Sequence, residues 1–241
     1  LAMNLSLILA DRETGEFAAA YTANRFPGAP VVLGRERLGR DGVRGILVNN
    51  RIANVCTPSG RADAERLLAS LGRAAGSTGE AFLPASTGII GWRLPVAEME
   101  AALPGLVAGA RGGSIVPVAR AIMTTDRFPK VRGRAVGHGR LVGIAKGAGM
   151  IEPRLGTLLC FLLTDVSVGR EELRSGPAAA ILRSHVHAPE VEGVGRLAVA
   201  VAIEPDHPHQ PLAKGPDHDR VGLPVELLPK GLDGGDEIVL G

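Results

Sequence analysis

Aromatic residues are scarce in this sequence: they make up 3% of its 241 residues, with one tryptophan and one tyrosine. The core must therefore be largely aliphatic, and a hydrophobic fraction of 45% is enough to form one. The sequence also has no large excess of positive or negative charge, because its 27 basic and 25 acidic residues give a net charge of +2. Without a continuous basic stripe interleaved with aromatic side chains, a nucleic-acid partner is not expected.

Cysteines and long apolar runs are also few. Cys56 and Cys160 are too few for a disulfide framework, and we expect both to be buried free thiols. The longest apolar runs, such as NLSLILA and TLLCFLL, fall well short of the ~20 residues that a membrane-spanning helix needs, so they predict buried strands or short core helices. The chain begins at Leu1 rather than at a methionine, and no basic segment precedes an apolar one there; the cytoplasm is the expected location.

Strand and helix signals alternate over the first two thirds of the chain. The runs LSLILAD, FAAAYTA, PVVLG and GILVNN are short, apolar and bounded by turn residues, which predicts strands. SGRADAERLLASLGRAAG predicts a helix with Ser59 as its N-cap, and PVAEMEAALPGLVAGA predicts a helix with Pro95 in its first turn. Helical spacing in the first of these segments joins four aliphatic residues: Ala64, Leu67, Leu68 and Leu71. In the polar last third, only RLAVAVAIE clearly predicts a strand.

Thr157 raises a question of chemistry, because it directly follows Gly156 and leads into an apolar stretch. A threonine hydroxyl that attacks an acyl group needs a base, and an N-terminal threonine can use its own α-amine. That solution requires a cut in the chain before Thr157. Gly156 favours such a cut, because glycine permits backbone conformations that bring the hydroxyl onto the preceding carbonyl. The competing interpretation is a buried hydroxyl at the entry to a strand.

Five stretches resemble, in order, the ornithine acetyltransferases, also called glutamate N-acetyltransferases. They are YTANRFPGAPV (21–31), GILVNNRIANVCT (45–57), STGIIGWRLP (86–95), AIMTTDRFPK (121–130) and the lysine- and glycine-rich segment that ends in MIEPRLGT (146–157). The resemblance implies an α/β fold in which stacked mixed sheets are flanked by helices in αββα-like layers. It also implies self-cleavage between Gly156 and Thr157, which gives an α chain of residues 1–156 and a β chain of residues 157–241.

The resemblance also assigns roles to residues. It implies that Thr157 is the nucleophile, that Thr87 and Gly88 form the oxyanion hole, and that Thr124 and Lys146 contact the substrate. The competing interpretations are a Thr-Gly turn after a strand, a capping or strand hydroxyl, and a solvated lysine in a glycine-rich loop. In the implied reaction, an acetyl group moves from N-acetylornithine to glutamate through an acetyl-threonine ester, with no metal or organic cofactor. Some relatives also accept acetyl-coenzyme A, and the α and β pieces are expected to assemble as a heterotetramer.

The resemblance fades around Val166. The residues after Asp165 are fewer than half of what the family supplies there, and the family's further substrate-binding residues are not found in them. RLGT also differs from the residues that usually precede the cut. Two alternatives therefore stay open. One is a degenerate, non-catalytic relative that keeps the scaffold, and the other is a self-cleaving aminopeptidase or amidase in which water replaces glutamate.

The last third contains a histidine-rich segment, DHPHQPLAKGPDHD. Zinc or nickel ligands by residue type are His207, His209, His218, Asp206, Asp217 and Asp219. Their spacing matches no closed tetrahedral motif, and Pro208 favours a loop over a strand that would point His207 and His209 to one face. A solvated polar loop is the preferred interpretation, and no metal site is predicted.

Overall fold

Two β-sheets and the helices packed on them make up the part of the chain that the structure describes. The structure is a computed structural model, and it describes residues 2–21, 25–110, 114–147, 158–175 and 196–202. The strands are β1 (Leu5–Thr14), β2 (Phe17–Tyr21), β3 (Val43–Asn49), β4 (Phe82–Ser86), β5 (Lys130–Val136), β6 (Gly139–Lys146), β7 (Leu158–Thr164) and β8 (Arg196–Ala202). The α-helices are α1 (Ala29–Arg37), α2 (Gly60–Ala74), α3 (Val96–Gly109), α4 (Val116–Ala121) and α5 (Arg170–Ser175).

Both sheets are mixed. The three-stranded sheet has the order β1-β3-β4, with β1 antiparallel and β4 parallel to the central β3. The five-stranded sheet has the order β2-β8-β7-β6-β5, in which β7 and β8 are parallel and the other neighbours are antiparallel. Strands that are distant in sequence therefore become neighbours, most clearly β2 and β8.

Because side chains alternate along a strand, each sheet has an apolar inner face, and the two sheets stack face to face through these inner faces. One buried cluster joins the inner faces, with Ile8, Ile46, Val48 and Leu83 from the three-stranded sheet and Phe17, Ile144, Leu159 and Phe161 from the five-stranded sheet. A second cluster joins the outer face of the three-stranded sheet to α2 and α3. On the other side of the molecule, Leu173 of α5 packs against Ala18 of β2. The predicted α/β fold, with stacked mixed sheets flanked by helices, is confirmed.

Helix α2 follows the predicted periodicity. Ala64, Leu67, Leu68 and Leu71 are all buried, at the spacing of one helix face. Ser59 is the N-cap residue, but its hydroxyl donates to the Asp63 carboxylate at 2.6 Å instead of capping a backbone N–H. Of the other predicted elements, LSLILAD, FAAAYTA, GILVNN, TLLCFLL and RLAVAVAIE contain strands, and PVAEMEAALPGLVAGA contains α3.

The predicted strand at PVVLG is wrong, because these residues lie in α1. Pro30 stands in the first turn, where its fixed φ suits a helix and its missing N–H costs nothing. The buried face of the helix consists of Pro30, Leu33, Gly34 and Arg37, which is helical and not strand spacing. Gly34 lies directly against Tyr21, where a Cβ atom would come within 2.2 Å of the phenolic oxygen.

The predicted burial of both thiols is wrong for Cys56. This cysteine is exposed and has a φ of 59°, so it belongs to a turn that carries its side chain outward. Cys160 lies within β7 and is partly buried, and burial raises the pKa of its thiol to about 11. Among the helices that the structure describes, none combines the length and hydrophobicity needed to cross a membrane.

Candidate functional site

Thr87 and Lys146 meet between the two sheets, each at the end of a strand. Thr87 continues the alternation that points Leu83 and Ala85 of β4 inward, and Lys146 lies two residues after the inward-facing Ile144 of β6. The Lys146 Nζ atom donates a hydrogen bond to Thr87 Oγ1 at 2.8 Å. Both residues are almost fully buried, with exposed fractions of 1% for Thr87 and 4% for Lys146. The stacking of the sheets therefore brings together two residues that are 59 positions apart in sequence.

Thr124 completes a group of three around the same ammonium. It lies in the loop between α4 and β5, and its Oγ1 accepts a second hydrogen bond from Lys146 Nζ at 3.1 Å. An ammonium has three donors and no acceptor, so both threonine oxygens accept from it. In the part of the chain that the structure describes, neither hydroxyl donates to another group.

The charge of Lys146 is set by three influences. Burial lowers its pKa, the carboxylate of Asp126 raises it, and the neighbouring ammonium of Lys130 lowers it again, with a result of about 8. At pH 7 the group is therefore still mainly an ammonium. A positive charge in a nearly water-free position interacts more strongly with a negative partner than it would at the surface.

Gly88 presents a backbone donor beside this group. Its φ of 133° lies in a region that side chains disfavour, and a Cβ atom would come within 2.1 Å of the Arg51 carbonyl carbon. Glycine is therefore required at this position. Gly88 is exposed, and its N–H donates to no acceptor within the described ranges. The Thr87 hydroxyl and the Gly88 N–H are adjacent donors, which is the combination that an oxyanion hole uses.

The loop at residues 51–56 supports the segment that carries Thr87 and Gly88. Arg51, Asn54 and Cys56 have positive φ angles of 70°, 53° and 59°, which are unusual for residues other than glycine. The loop is tied to the residues after Gly88, because Ile89 N donates to the Arg51 carbonyl at 2.8 Å. Such strain persists only where surrounding contacts hold it, and it commonly occurs at functional sites. No pattern in the sequence predicts this role.

Two consecutive asparagines at the end of β3 hold the two threonine segments in place. The Asn49 carbonyl accepts from Thr87 N at 3.1 Å, and its side-chain oxygen accepts from Ser86 Oγ at 2.6 Å. Asn50 Nδ2 donates to the carbonyls of Ala121 and Met123, at 2.8 and 3.2 Å, just before Thr124. Sequence reasoning missed both roles, although the NN pair stands within a stretch that carries the family resemblance.

The remaining predicted site residues, Gly156 and Thr157, lie outside the described residues, as do the histidines and aspartates of the DHPHQPLAKGPDHD segment. The structure does describe Leu158, the first residue of β7, and it pairs Leu159 with Lys146. Over the described ranges, no group of three or more His, Cys, Asp or Glu residues could hold a metal ion.

Comparison with known families gives a match over most of the chain. The ArgJ family profile matches residues 2–188. The arginine biosynthesis bifunctional protein ArgJ of Geobacter sulfurreducens is 40% identical over 172 residues, which cover 69% of this chain and 43% of that protein. The protein of the same name from Nitratidesulfovibrio vulgaris is 41% identical over 174 residues, 70% of this chain and 44% of that protein. The chain thus spans less than half the length of these curated relatives.

Solved structures of similar proteins were also found. An arginine biosynthesis bifunctional protein ArgJ from Bacillus halodurans matches 62% of this chain and 81% of its own, with 24% identity and a TM-score of 0.49. An ornithine acetyltransferase from Mycobacterium tuberculosis, in complex with ornithine, matches 62% of this chain and 98% of its own, with 24% identity and a TM-score of 0.47. The profile match, which covers more than half of the sequence, is sufficient to assign the family. This chain belongs to the ArgJ family.

Proposed function

We propose that this chain carries the acyl-transfer centre of a glutamate N-acetyltransferase. In this proposal, the enzyme moves an acetyl group from N-acetylornithine to glutamate, through an acetyl-threonine ester on Thr157. The observation that carries the proposal is the arrangement around Lys146, whose ammonium donates to the hydroxyls of Thr87 and Thr124, with the backbone N–H of Gly88 next to Thr87 in the chain. These groups offer donors and positive charge to a reacting carbonyl and to the polar end of an amino-acid substrate.

The chemistry of the first half-reaction uses these donors directly. The Thr157 hydroxyl attacks the acetyl carbonyl carbon, and the proposed base, its own α-amine, takes the hydroxyl proton. The carbonyl oxygen becomes negative and accepts hydrogen bonds from the Thr87 hydroxyl and the Gly88 N–H. Lys146 strengthens the Thr87 donor, because an oxygen that accepts from an ammonium releases its own proton more readily. Ornithine leaves with the proton from the α-amine, and the amine of glutamate then attacks the ester in the same way.

Strand β7 begins directly after Thr157 in sequence, and its first residues lie beside Lys146. Leu158 directly follows Thr157 in sequence, and the next residue, Leu159, lies opposite Lys146 in the β6–β7 pairing. The pairing of Lys146 with Leu159, two residues after Thr157 in sequence, supports Thr157 as the nucleophile and Lys146, Thr87, Gly88 and Thr124 as groups that act with it.

The proposal includes cleavage between Gly156 and Thr157, because the α-amine that serves as base exists only after that bond is cut. It also includes pieces of residues 1–156 and 157–241 that stay together, their assembly as a heterotetramer, and a cytoplasmic location.

The second candidate function is a non-catalytic relative that keeps the scaffold. The specific observation in its favour is that the family profile matches residues 2–188 and leaves residues 189–241 outside the match.

The experiment that separates these functions begins with intact mass under denaturing conditions. We expect two pieces that meet at the Gly156–Thr157 bond, together with transfer of acetyl from N-acetylornithine to glutamate. Thr157→Ala should abolish both, and Thr157→Ser, which keeps a hydroxyl, should retain some cleavage. A single full-length chain that transfers acetyl refutes Thr157 as an α-amine-assisted nucleophile. A chain without transfer supports the scaffold function, and release of acetate in place of N-acetylglutamate indicates an amidase.

A further inference from the structure

Asp126 is a buried carboxylate next to the candidate site. Its side chain is only 1% exposed, and burial of an ionised carboxylate is costly unless hydrogen bonds and an opposite charge compensate it. Three donors supply this compensation. Asp126 Oδ1 accepts from Lys130 Nζ at 2.5 Å and from Gly147 N at 2.8 Å, and Oδ2 accepts from Thr124 N at 3.4 Å.

These donors connect Asp126 to both ends of the hydrogen bond between Lys146 and Thr124. Thr124 is held through its own backbone N–H, and Lys146 is held through the N–H of the next residue, Gly147. Gly147 has a φ of 146°, at the edge of the region that favours glycine. One carboxylate therefore fixes the backbone on either side of the 3.1 Å contact between Lys146 Nζ and Thr124 Oγ1.

Asp126 is also the negative charge that faces Lys146. Burial raises the pKa of Asp126, but the hydrogen bonds from Lys130 and Gly147 and the charge of Lys130 together hold it below its ordinary value, so the carboxylate is ionised at pH 7. Burial lowers the pKa of Lys146, the Asp126 charge opposes this, and the Lys130 charge adds to it. One carboxylate is thus shared between two ammonium groups, of which only Lys130 contacts it directly.

We propose that Asp126 is a positioning residue of the acyl-transfer site, which orients Thr124 and the backbone at Gly147 and balances the charge of the Lys146 ammonium against that of Lys130. The catalytic part of this inference rests on the proposed function. The structural and electrostatic part does not, because the titration of Lys146 can be measured whether or not the protein transfers acetyl groups.

The experiment is an NMR titration of lysine side chains in the full chain. The sequence contains four lysines, Lys130, Lys146, Lys214 and Lys230, so ¹³Cε-labelled lysine gives few signals, and single Lys→Arg variants assign them. In the unaltered protein we expect Lys146 to titrate at about 8. Asp126→Asn should move this titration to lower pH by about one unit, in line with the loss of a close opposite charge.

Two further variants make the result specific. Lys130→Gln should move the titration of Lys146 to higher pH, because it removes a like charge. The negative charge of Asp126 then acts on Lys146 without the opposing charge of Lys130. This opposite shift also tests the inference if Asp126→Asn fails to fold. Asp41→Asn is the matched control, since it removes an exposed carboxylate and should leave Lys146 unchanged. Equal titrations in all variants, or shifts of the same sign for Asp126→Asn and Lys130→Gln, overturn the proposal.

The catalytic part has its own readout. If the protein transfers acetyl groups, the alkaline limb of the pH profile of kcat/KM should follow the Lys146 titration, downward in Asp126→Asn and upward in Lys130→Gln. A purely structural role would lower the rate without moving this limb, which would overturn the positioning role in catalysis. If the unaltered protein transfers no acetyl group, the proposed function fails, and the NMR titration still decides whether Asp126 balances Lys146.

Discussion

Replacement of Lys146 by methionine removes the buried charge of the candidate site while it keeps a long unbranched side chain. We expect this variant to lose acetyl transfer and to become more stable at pH 7. Under the proposed function the two effects have one cause: the charge between the two sheets binds a substrate, and it costs free energy when no substrate is bound. Stabilisation at the expense of activity is a common result when a functional group is removed from a strained or desolvated site.

The magnitude follows from the pKa of Lys146, which burial lowers from 10.5 to about 8. At about 1.36 kcal/mol for each pH unit, the folded state loses about 3 kcal/mol at pH 7 by keeping this group charged. Methionine avoids this cost, but it leaves the hydroxyls of Thr87 and Thr124 without a donor, at about 1 kcal/mol each. The net expectation is an increase of about 1 kcal/mol in the free energy of unfolding.

The free energy of unfolding should depend on pH, and this dependence decides which of the two proteins is more stable. The folded pKa of Lys146 lies below the unfolded value, so between pH 8 and 10.5 the unfolded chain binds more protons than the folded one. Stability therefore rises with pH in this window, and the penalty is fully present only below about pH 8. Between pH 7 and 9.5 the unaltered protein should gain about 2 kcal/mol relative to Lys146→Met, so the order of stability should reverse.

The assay is urea unfolding followed by circular dichroism at pH 7, 8 and 9.5. All proteins should carry Thr157→Ala, which keeps each of them a single chain under the proposed cleavage and allows a two-state treatment. Lys130→Met is the matched control. It removes the ion-pair partner of the buried Asp126 and should destabilise the protein by about 3 kcal/mol at pH 7. A Lys146→Met variant that is less stable at pH 7, by an amount that does not change with pH, would refute the reasoning.

Three further substitutions test the other parts of the site. Thr87→Ala should lower turnover by about 10²-fold or more with little change in substrate binding, whereas Thr87→Ser should retain most activity, as steady-state kinetics can show. Gly88→Ala should lower the thermal unfolding temperature much more than Gly91→Ala, because both glycines have positive φ but only at Gly88 would a Cβ meet the backbone of Arg51. Asn50→Asp keeps the side-chain shape but cannot donate, so urea unfolding should show a loss of about 2 kcal/mol for its two carbonyl partners.

Local sequence patterns predicted most of the elements. The strands β1, β3 and β7 each contain a short, mainly aliphatic run, and α2 has a clear apolar face. The error at PVVLG arose because a run of four or five apolar residues has the same appearance in a strand and in a helix. Only the later positions Gly34 and Arg37, buried at helical spacing from Pro30, distinguish the helix.

The site could not be found from such patterns. Lys146 is separated by 59 residues from Thr87 and by 22 from Thr124, and no periodicity relates positions in different sheets and loops. These residues were identified through the resemblance to a family, and the structure shows how the stacked sheets bring them together. Asn49, Asn50 and Asp126 were not predicted, because their roles depend on which backbone groups come within reach after folding.

The strand order of the five-stranded sheet has a consequence for the fate of a severed chain. β7 lies between β6 and β8, and β8 lies between β7 and β2. The two strands from Leu158 onward, β7 and β8, are therefore hydrogen-bonded on both outer sides to strands that end at or before Lys146, β6 and β2. A nick between these residues would therefore release nothing under native conditions, and the two fragments should co-purify as an obligate pair. Produced apart, each would expose unpaired strand edges and tend to aggregate; produced together, they should complement one another.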